Sequence, residues 1–289
     1  MPGYTYYQLD VFARSKGGGN PLGVVFTPEP WEAARMQRLA RWTNLVETTF
    51  VEPSDDADYR VRIFTPTREL PFAGHPSVGT AHAWLEHGGQ PGQAGQILQQ
   101  CGAGRLPVRI DEAEGRRRIS VQAPAATKLE PRPRDLQLAR ACVENLALGS
   151  SGLGLIEGGR RWWVAELASE AQLRAWTPDH PLIRQLAYAT DSLGLCVFSR
   201  SPHPDYDVAV RAFPAGVGIV EDPASGAANG LIAAWIAWHD PQDALVAGYR
   251  VSQGREMGHD ALLNVSYDDA AIWVGGATDT VIRGEIHWD

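Results

Sequence analysis

Apolar and polar positions alternate along residues 4–12, where Tyr, Tyr, Leu and Val recur as they do in a half-buried strand. The loop "KGGGNP" interrupts the pattern and "LGVVF" resumes it as a second strand. Pro30 then opens a helical stretch, "WEAARMQRLARWTN", whose Met36, Leu39 and Ala40 share one face. Strand-like "ETTFVEP" and "YRVRIFTP" lead into "GHPSVGTAHAWLEHG". There His75 precedes a proline and is expected to be extended, Pro76 suits the first helical turn, and Gly88–Gly89 stop the helix. "RLPVRID" and "RRRISVQAP" read as a hairpin with a charged tip, and the proline-rich "APAATKLEPRPRD" is the expected domain crossing.

The second half of the chain follows the same order: strands, a helix after Ser169, two more strands, a small-residue turn, a long apolar helix and closing strands. Val61-Arg62-Ile63-Phe64 lies over Val210-Arg211-Ala212-Phe213, and "GHPSVGTA" lies over "EDPASGAA" with His75 set against Asp222. An α/β fold of two related halves, 1–125 and 126–289, is expected, with the last strand open to either half. The competing reading is two similar turns arising by chance.

Each such turn opens a helix, and a helix start directs several backbone N–H groups and the positive end of the helix dipole at one spot, which suits a carboxylate. Gly79 and Gly226 are expected to let a ligand approach the backbone. Two helix starts facing each other would make a cleft with an anion site on each wall. Taken singly, Asp222 is more simply an N-cap and His75 a hydrogen-bonded turn residue; their equivalence raises them together. Glu47 stands where a helix gives way to an apolar strand. A half-desolvated carboxyl there would have a raised pKa suited to proton transfer, whereas the plain alternative is an exposed Glu at a strand start. The spacing that pairs the two turns sets Gly194 against Glu47, so one half carries a carboxylate where the other carries none.

Composition narrows the choices. The 289 residues are 44% hydrophobic and 21% charged, with a formal charge of -8 and no Lys/Arg run fit for a phosphate track, so nucleic acid is not an expected partner. No apolar run reaches the ~20 residues of a membrane span, and the first residues show no signal-peptide order. Cys101, Cys142 and Cys196 are odd in number and widely spaced, which suits a reducing cytoplasm rather than a disulfide or zinc framework. "GLGLIEG" breaks the dinucleotide pattern, "KGGGNP" lacks the residues of a phosphate loop, and the histidines show no metal-ligand spacing.

The segments "VFARSKGGGNPLGVV", "NLVETTF", "RIFTPTRELPFAGHPSVGTA", "GIVEDPASGAANG" and "VSQGREMG" together resemble the PhzF-like isomerase family, relatives of diaminopimelate epimerase and proline racemase. The resemblance implies two pseudo-symmetric α/β domains, each a curved mixed sheet around a central helix, with the site in the cleft between them. It implies Glu47 as acid/base assisted by His75 and Asp222, no cofactor or metal, and a homodimer. Related epimerases carry a thiol at each helix start; this chain carries His75 and Asp222. The favoured chemistry is therefore a proton shift between carbons of a small unsaturated carboxylic acid. Its carboxylate would bind at Gly74–His75 and Gly226–Ala227, with Ser77 and Ser225 nearby. Alternatives are a racemase using Glu47 and Asp222 as opposed bases, and a non-catalytic carboxylate-binding protein. Two departures from the family pattern border the expected pocket: Ala227 in place of a hydroxyl residue, and His259 in place of Arg.

Overall fold

The computed structural model describes residues 3–113, 115–269 and 271–289. In chain order the elements are β1 (Tyr4–Val11), β2 (Asn20–Phe26), α1 (Ala33–Thr43), β3 (Glu47–Glu52), β4 (Tyr59–Phe64), β5 (Glu69–Leu70), α2 (Gly74–Glu86), β6 (Gln96–Cys101), β7 (Gly104–Ala113) and β8 (Arg116–Gln122). There follow β9 (Thr127–Leu129), α3 (Pro133–Cys142), β10 (Leu148–Gly158), β11 (Arg160–Leu167), α4 (Glu170–Ala175), α5 (His180–Ala189), β12 (Gly194–Arg200) and β13 (Val208–Phe213). The chain closes with α6 (Gly226–His239), β14 (Tyr249–Gln253), β15 (Ala261–Asp268), β16 (Ala271–Gly276) and β17 (Thr278–Ile286). Glu114, in the charged tip expected between β7 and β8, lies outside the described residues.

Two compact units result: Met1–Gln122 with Gly275–Asp289, and Ala123–Val274. In the first, the strands pair in the order β17, β1, β2, β3, β4, β6, β7, β8. In the second the order is β9, β10, β11, β12, β13, β14, β15. The pairing signs match strand for strand. β2–β3 and β4–β6 are parallel where β11–β12 and β13–β14 are parallel, and the junctions around them are antiparallel. Parallel neighbours need a crossover, and helices supply it at equivalent places: α1 and α2 in the first unit, α4–α5 and α6 in the second. The repeat read from the sequence is therefore a repeat of topology.

Each sheet packs around one helix. α2 touches β1, β2, β3, β4 and β8, and α6 touches β10, β11 and β15. Both are buried over a continuous run of residues, His75–Ala83 in α2 and Ala228–Ile236 in α6, as a helix enclosed by a sheet must be. Close approach is secured by glycine: a Cβ at Gly79 would lie 2.5 Å from Leu22, and one at Gly154 would lie 2.2 Å from the Trp235 ring. On the outer face of the first unit, α1 covers Val25, Phe50 and Phe64 with Met36, Leu39 and Ala40. In the second, Ile183 and Leu186 of α5 cover Trp163, Leu195 and Phe213.

Three local expectations change. α1 begins at Ala33 rather than Pro30, because Trp31 is drawn into the core against Phe50 and Tyr4 instead of continuing a helical face. His75 is not extended but is the second residue of α2. The third position of a helix makes no intrahelical N–H bond, so Pro76 loses nothing there and the chain turns helical before it. Gly79 is a mid-helix packing glycine, not a ligand-facing one, whereas Gly226 is the first residue of α6. No helix among the described residues is long and apolar enough to cross a membrane.

Candidate active site

In the first unit, α1 ends at Asn44, whose left-handed backbone (φ 53°) returns its N–H to Ala40 and redirects the chain into β3. The first residue of β3 is Glu47, held beside Leu22 of the parallel strand β2 and 8% exposed. His75, in the first turn of α2, brings Nε2 to 3.4 Å from Glu47 Oε2. Its other ring nitrogen, Nδ1, lies 3.4 Å from Nδ2 of Asn20, the first residue of β2. Burial pulls the His75 pKa down to about 3, against a weaker opposing hydrogen bond to the Pro21 carbonyl. The ring is therefore neutral at neutral pH. Its contact with Glu47 is not a charge pair but a close approach of a neutral imidazole to a carboxyl group.

The two helix starts reach the same result by different chemistry. At α2, the N–H groups of Gly74 and His75 have no intrahelical acceptor, Pro76 has no N–H, and Ser77 donates to the Ala73 carbonyl at 3.2 Å. At α6, Gly226 and Ala227 occupy the first two positions, the Ser225 side chain caps Ala228 N–H at 3.3 Å, and Asn229 donates to the Ser225 carbonyl. In both, the first two donors have no partner among the described residues and the third position is settled, by proline in one helix and by a serine cap in the other. Each open pair sits at the positive end of a buried helix.

Asp222 lies three residues ahead of Ser225, not inside the helix. Its N–H bonds Ala212 on β13, and its Oδ1 accepts Ala224 N–H at 3.1 Å. The preceding Glu221 takes a two-pronged bond from buried Arg211 (2.9 and 3.0 Å), and Arg62 holds Glu69 in the same way (2.8 and 2.8 Å) ahead of α2. The aligned Arg residues of the two repeats thus anchor the two approaches to the helix starts.

Of the residues expected at the site, the structure brings Glu47, His75 and Gly74 together in the first unit, and Asp222, Ser225, Gly226 and Ala227 together in the second. The Ser77 hydroxyl is engaged internally: it donates to Ala73 and accepts from Gln99. The Ser225 hydroxyl is the α6 cap. His259 packs at the turn after β14, its N–H bonded to Gly254 O, with its Cβ close to where a Gly254 side chain would be.

Sequence reasoning missed Asn20, Gln99, Asn229 and Gln253. Gln253 Oε1 accepts both Ser225 N–H (3.3 Å) and Asn229 Nδ2 (3.0 Å), while its Nε2 donates to Asp222 O at 2.7 Å. Gln99 performs the corresponding task in the first unit, linking Tyr59 hydroxyl to Ser77. The segments "GGGNP" and "VSQGREMG" held two of these residues in plain view, but nothing in them said which helix start they would meet.

Gly194 opens β12 as Glu47 opens β3. A Cβ at Gly194 would lie 1.9 Å from the Phe213 carbonyl oxygen, so no side chain of any kind fits there. The second unit has no room for a carboxylate matching Glu47.

Two related sheet-wrapped helices with a carboxylate–imidazole pair at one helix start define a protein of the epimerase-like isomerase fold. The family described as phenazine biosynthesis-like protein matches residues 9–284. Antisense-enhancing sequence 1 of Schizosaccharomyces pombe is 33% identical over 99% of each chain. Trans-2,3-dihydro-3-hydroxyanthranilate isomerase of Pseudomonas aeruginosa is 34% identical over 82% of this chain and 81% of its own. The crystal structure of the Bacillus anthracis phenazine biosynthesis protein of the PhzF family superposes with a TM-score of 0.85 at 25% identity, covering 99% of this chain and all of that one. The chain belongs to the phenazine biosynthesis-like, or PhzF, family and is an isomerase.

Proposed function

We propose that the chain moves a proton between two carbons of a small unsaturated carboxylic acid, with Glu47 as the single acid/base. The observation that carries this is the asymmetry of the repeat: Glu47 is buried against a neutral His75, and the equivalent position, Gly194, is closed to any side chain. Glu47 as carboxylate takes a proton from a carbon next to the unsaturation. The electron pair delocalises, the double bond shifts, and the same carboxyl returns the proton to the carbon at the far end, so atoms and charge balance without a co-reactant. His75, being neutral, neither stabilises Glu47 as a permanent anion nor competes for the proton above its own low pKa. The open N–H pairs of Gly74–His75 and Gly226–Ala227 are the proposed carboxylate sites, and Asp222 assists without being the proton carrier. The substrate class, a cyclic amino-substituted unsaturated acid, follows the name of the Pseudomonas aeruginosa relative. The resemblance also carries the proposal of a homodimer, which sedimentation velocity checks.

The test uses trans-2,3-dihydro-3-hydroxyanthranilate and close analogues in D₂O, following deuterium at both carbons. Glu47→Gln is expected to bind nearly normally and turn over at least ~100-fold more slowly, the usual scale of a lost general acid/base. Asp222→Asn is expected to be hurt less. Near-normal turnover in Glu47→Gln with none in Asp222→Asn would overturn the assignment and favour opposed bases. Tight binding with no exchange in the wild type would favour a binding protein.

A further inference from the structure

Asn20 opens β2 opposite Val11, the last residue of β1. Directly paired residues point to the same face of a sheet. Val11 faces α2, since a Cβ at Gly79 would lie 2.7 Å from its side chain. The Asn20 carboxamide is therefore turned to α2, and it is fully buried. The connection ahead of it is tied down. The Asp10 carboxylate accepts the Gly17 N–H at 2.6 Å, the Gly18 N–H bonds the Ser15 carbonyl, and a Cβ at Gly19 would run into the Val11 carbonyl. The hairpin thus delivers the amide to the first turn of α2 from a fixed backbone.

His75 meets a different side chain at each ring nitrogen, and the two ask for the same tautomer. Asn20 Nδ2 lies 3.4 Å from Nδ1. An amide nitrogen has hydrogens to give and no lone pair to receive with, so this contact bonds only when Nδ1 is bare. Glu47 Oε2 lies 3.4 Å from Nε2. A carboxylate oxygen accepts, so that contact bonds only when Nε2 carries the hydrogen. The ring is neutral and holds a single N–H. Placed on Nε2, that hydrogen satisfies both contacts. Placed on Nδ1, it sets N–H against N–H on one side and lone pair against lone pair on the other. Both distances are long, as contacts in a catalytic site commonly are before substrate closes it. The Pro21 carbonyl also borders the ring, and it is the acceptor that an Nδ1–H would need.

We infer that Asn20 is a positioning residue that fixes the tautomer of His75, with the hydrogen on Nε2, so that the ring donates to Glu47 Oε2. This rests on the reading of Glu47 as the acid/base. A neutral N–H offers the carboxylate one hydrogen bond without the full positive charge that would hold it as an anion. The carboxyl group therefore stays able to take a proton from carbon and give it back. The ring changes neither its charge nor its tautomer during turnover. Asn20 acts on the reaction only through His75.

The experiment labels the histidine nitrogens of the intact protein and reads them by long-range proton–nitrogen NMR at neutral pH, with His75 assigned through His75→Gln. Nδ1 is expected to resonate as a bare nitrogen and Nε2 as a protonated one. Asn20→Asp keeps the shape but puts an acceptor where the donor was. Nδ1 should then gain a proton, and turnover of trans-2,3-dihydro-3-hydroxyanthranilate should fall at least ~10-fold. A merely structural role for Asn20 would leave the ring nitrogens as they were. A wild-type ring with its hydrogen on Nδ1, bonded to the Pro21 carbonyl, would overturn the proposal, and this arm decides even where Asn20→Asp does not fold. An unchanged tautomer in folded Asn20→Asp would overturn it as well. A reversed tautomer with undiminished turnover would instead count against Glu47 as the acid/base and leave the tautomer assignment in place, so the two readings fail separately.

Discussion

Burying the His75 ring beside Glu47 has a thermodynamic consequence that shows only in acid. The unfolded chain takes up a proton on this imidazole near pH 6.5, but the folded chain does so only near pH 3. Between those values the unfolded state binds more protons, so stability falls as pH drops through the window and stops falling below it, a loss on the order of 5 kcal/mol. Urea unfolding from pH 7 to pH 3.5 is expected to show a steeper loss in wild type than in His75→Gln. The His75 ring nitrogens are expected to keep their neutral NMR shifts at pH 5. A ring that protonates near pH 6 would refute the neutral assignment. The three side chains proposed for catalysis stand out in the sequence because each sits in a local pattern: a helix-to-strand boundary for Glu47, small-residue turns for His75 and Asp222. The secondary structure of His75 was misread from the same pattern. The pre-proline rule is a local preference, and it yields where the first helical turn leaves proline nothing to lose.

At the level of elements, the helix starts are set from a distance. Gln253 reaches from β14 to tie Asp222 O, Ser225 N–H and Asn229 into one turn. Gln253→Leu removes three bonds in a dry place and is expected to lose about 2–4 kcal/mol of stability. Gln253→Glu keeps the acceptor but donates to Asp222 O only when protonated, so its deficit in turnover relative to wild type should shrink as pH falls. A ratio flat with pH would show that the donor to Asp222 does not matter. No sequence pattern marks such a residue: which strand pairs with which, and in what register, decides whom a glutamine meets. The same limit explains Gly79. Aligned with Gly226 by sequence, it lies five residues further along its helix than Gly226 does, because α2 is already helical at Gly74 whereas the matching stretch, Glu221–Ser225, is not. The glycines also differ in what a methyl would meet. Gly194→Ala faces a carbonyl oxygen and should cost more than about 3 kcal/mol, whereas Gly79→Ala faces flexible Leu22 and Val11 side chains and should cost less. Chemical denaturation of both variants ranks them directly.

For the whole molecule, the order of strands was the most readable feature, since a repeated series of apolar runs and turns needs no knowledge of register. What the pattern left open was the last strand, and β17 pairs with β1 over the length of both. This has a bearing on how the chain is made. β1 leaves the ribosome long before β17, its partner on one side. Throughout synthesis the first unit therefore carries a strand edge with unpaired N–H and C=O groups, next to an apolar face that includes Tyr7, Leu9 and Val11. The second unit, continuous in sequence, can close while the first is still waiting. A nascent chain stalled before residue 278 should thus be protected from protease in its later half and cut in its earlier one. The half that holds Glu47 and His75 would gain its final form only when β17 comes back to it.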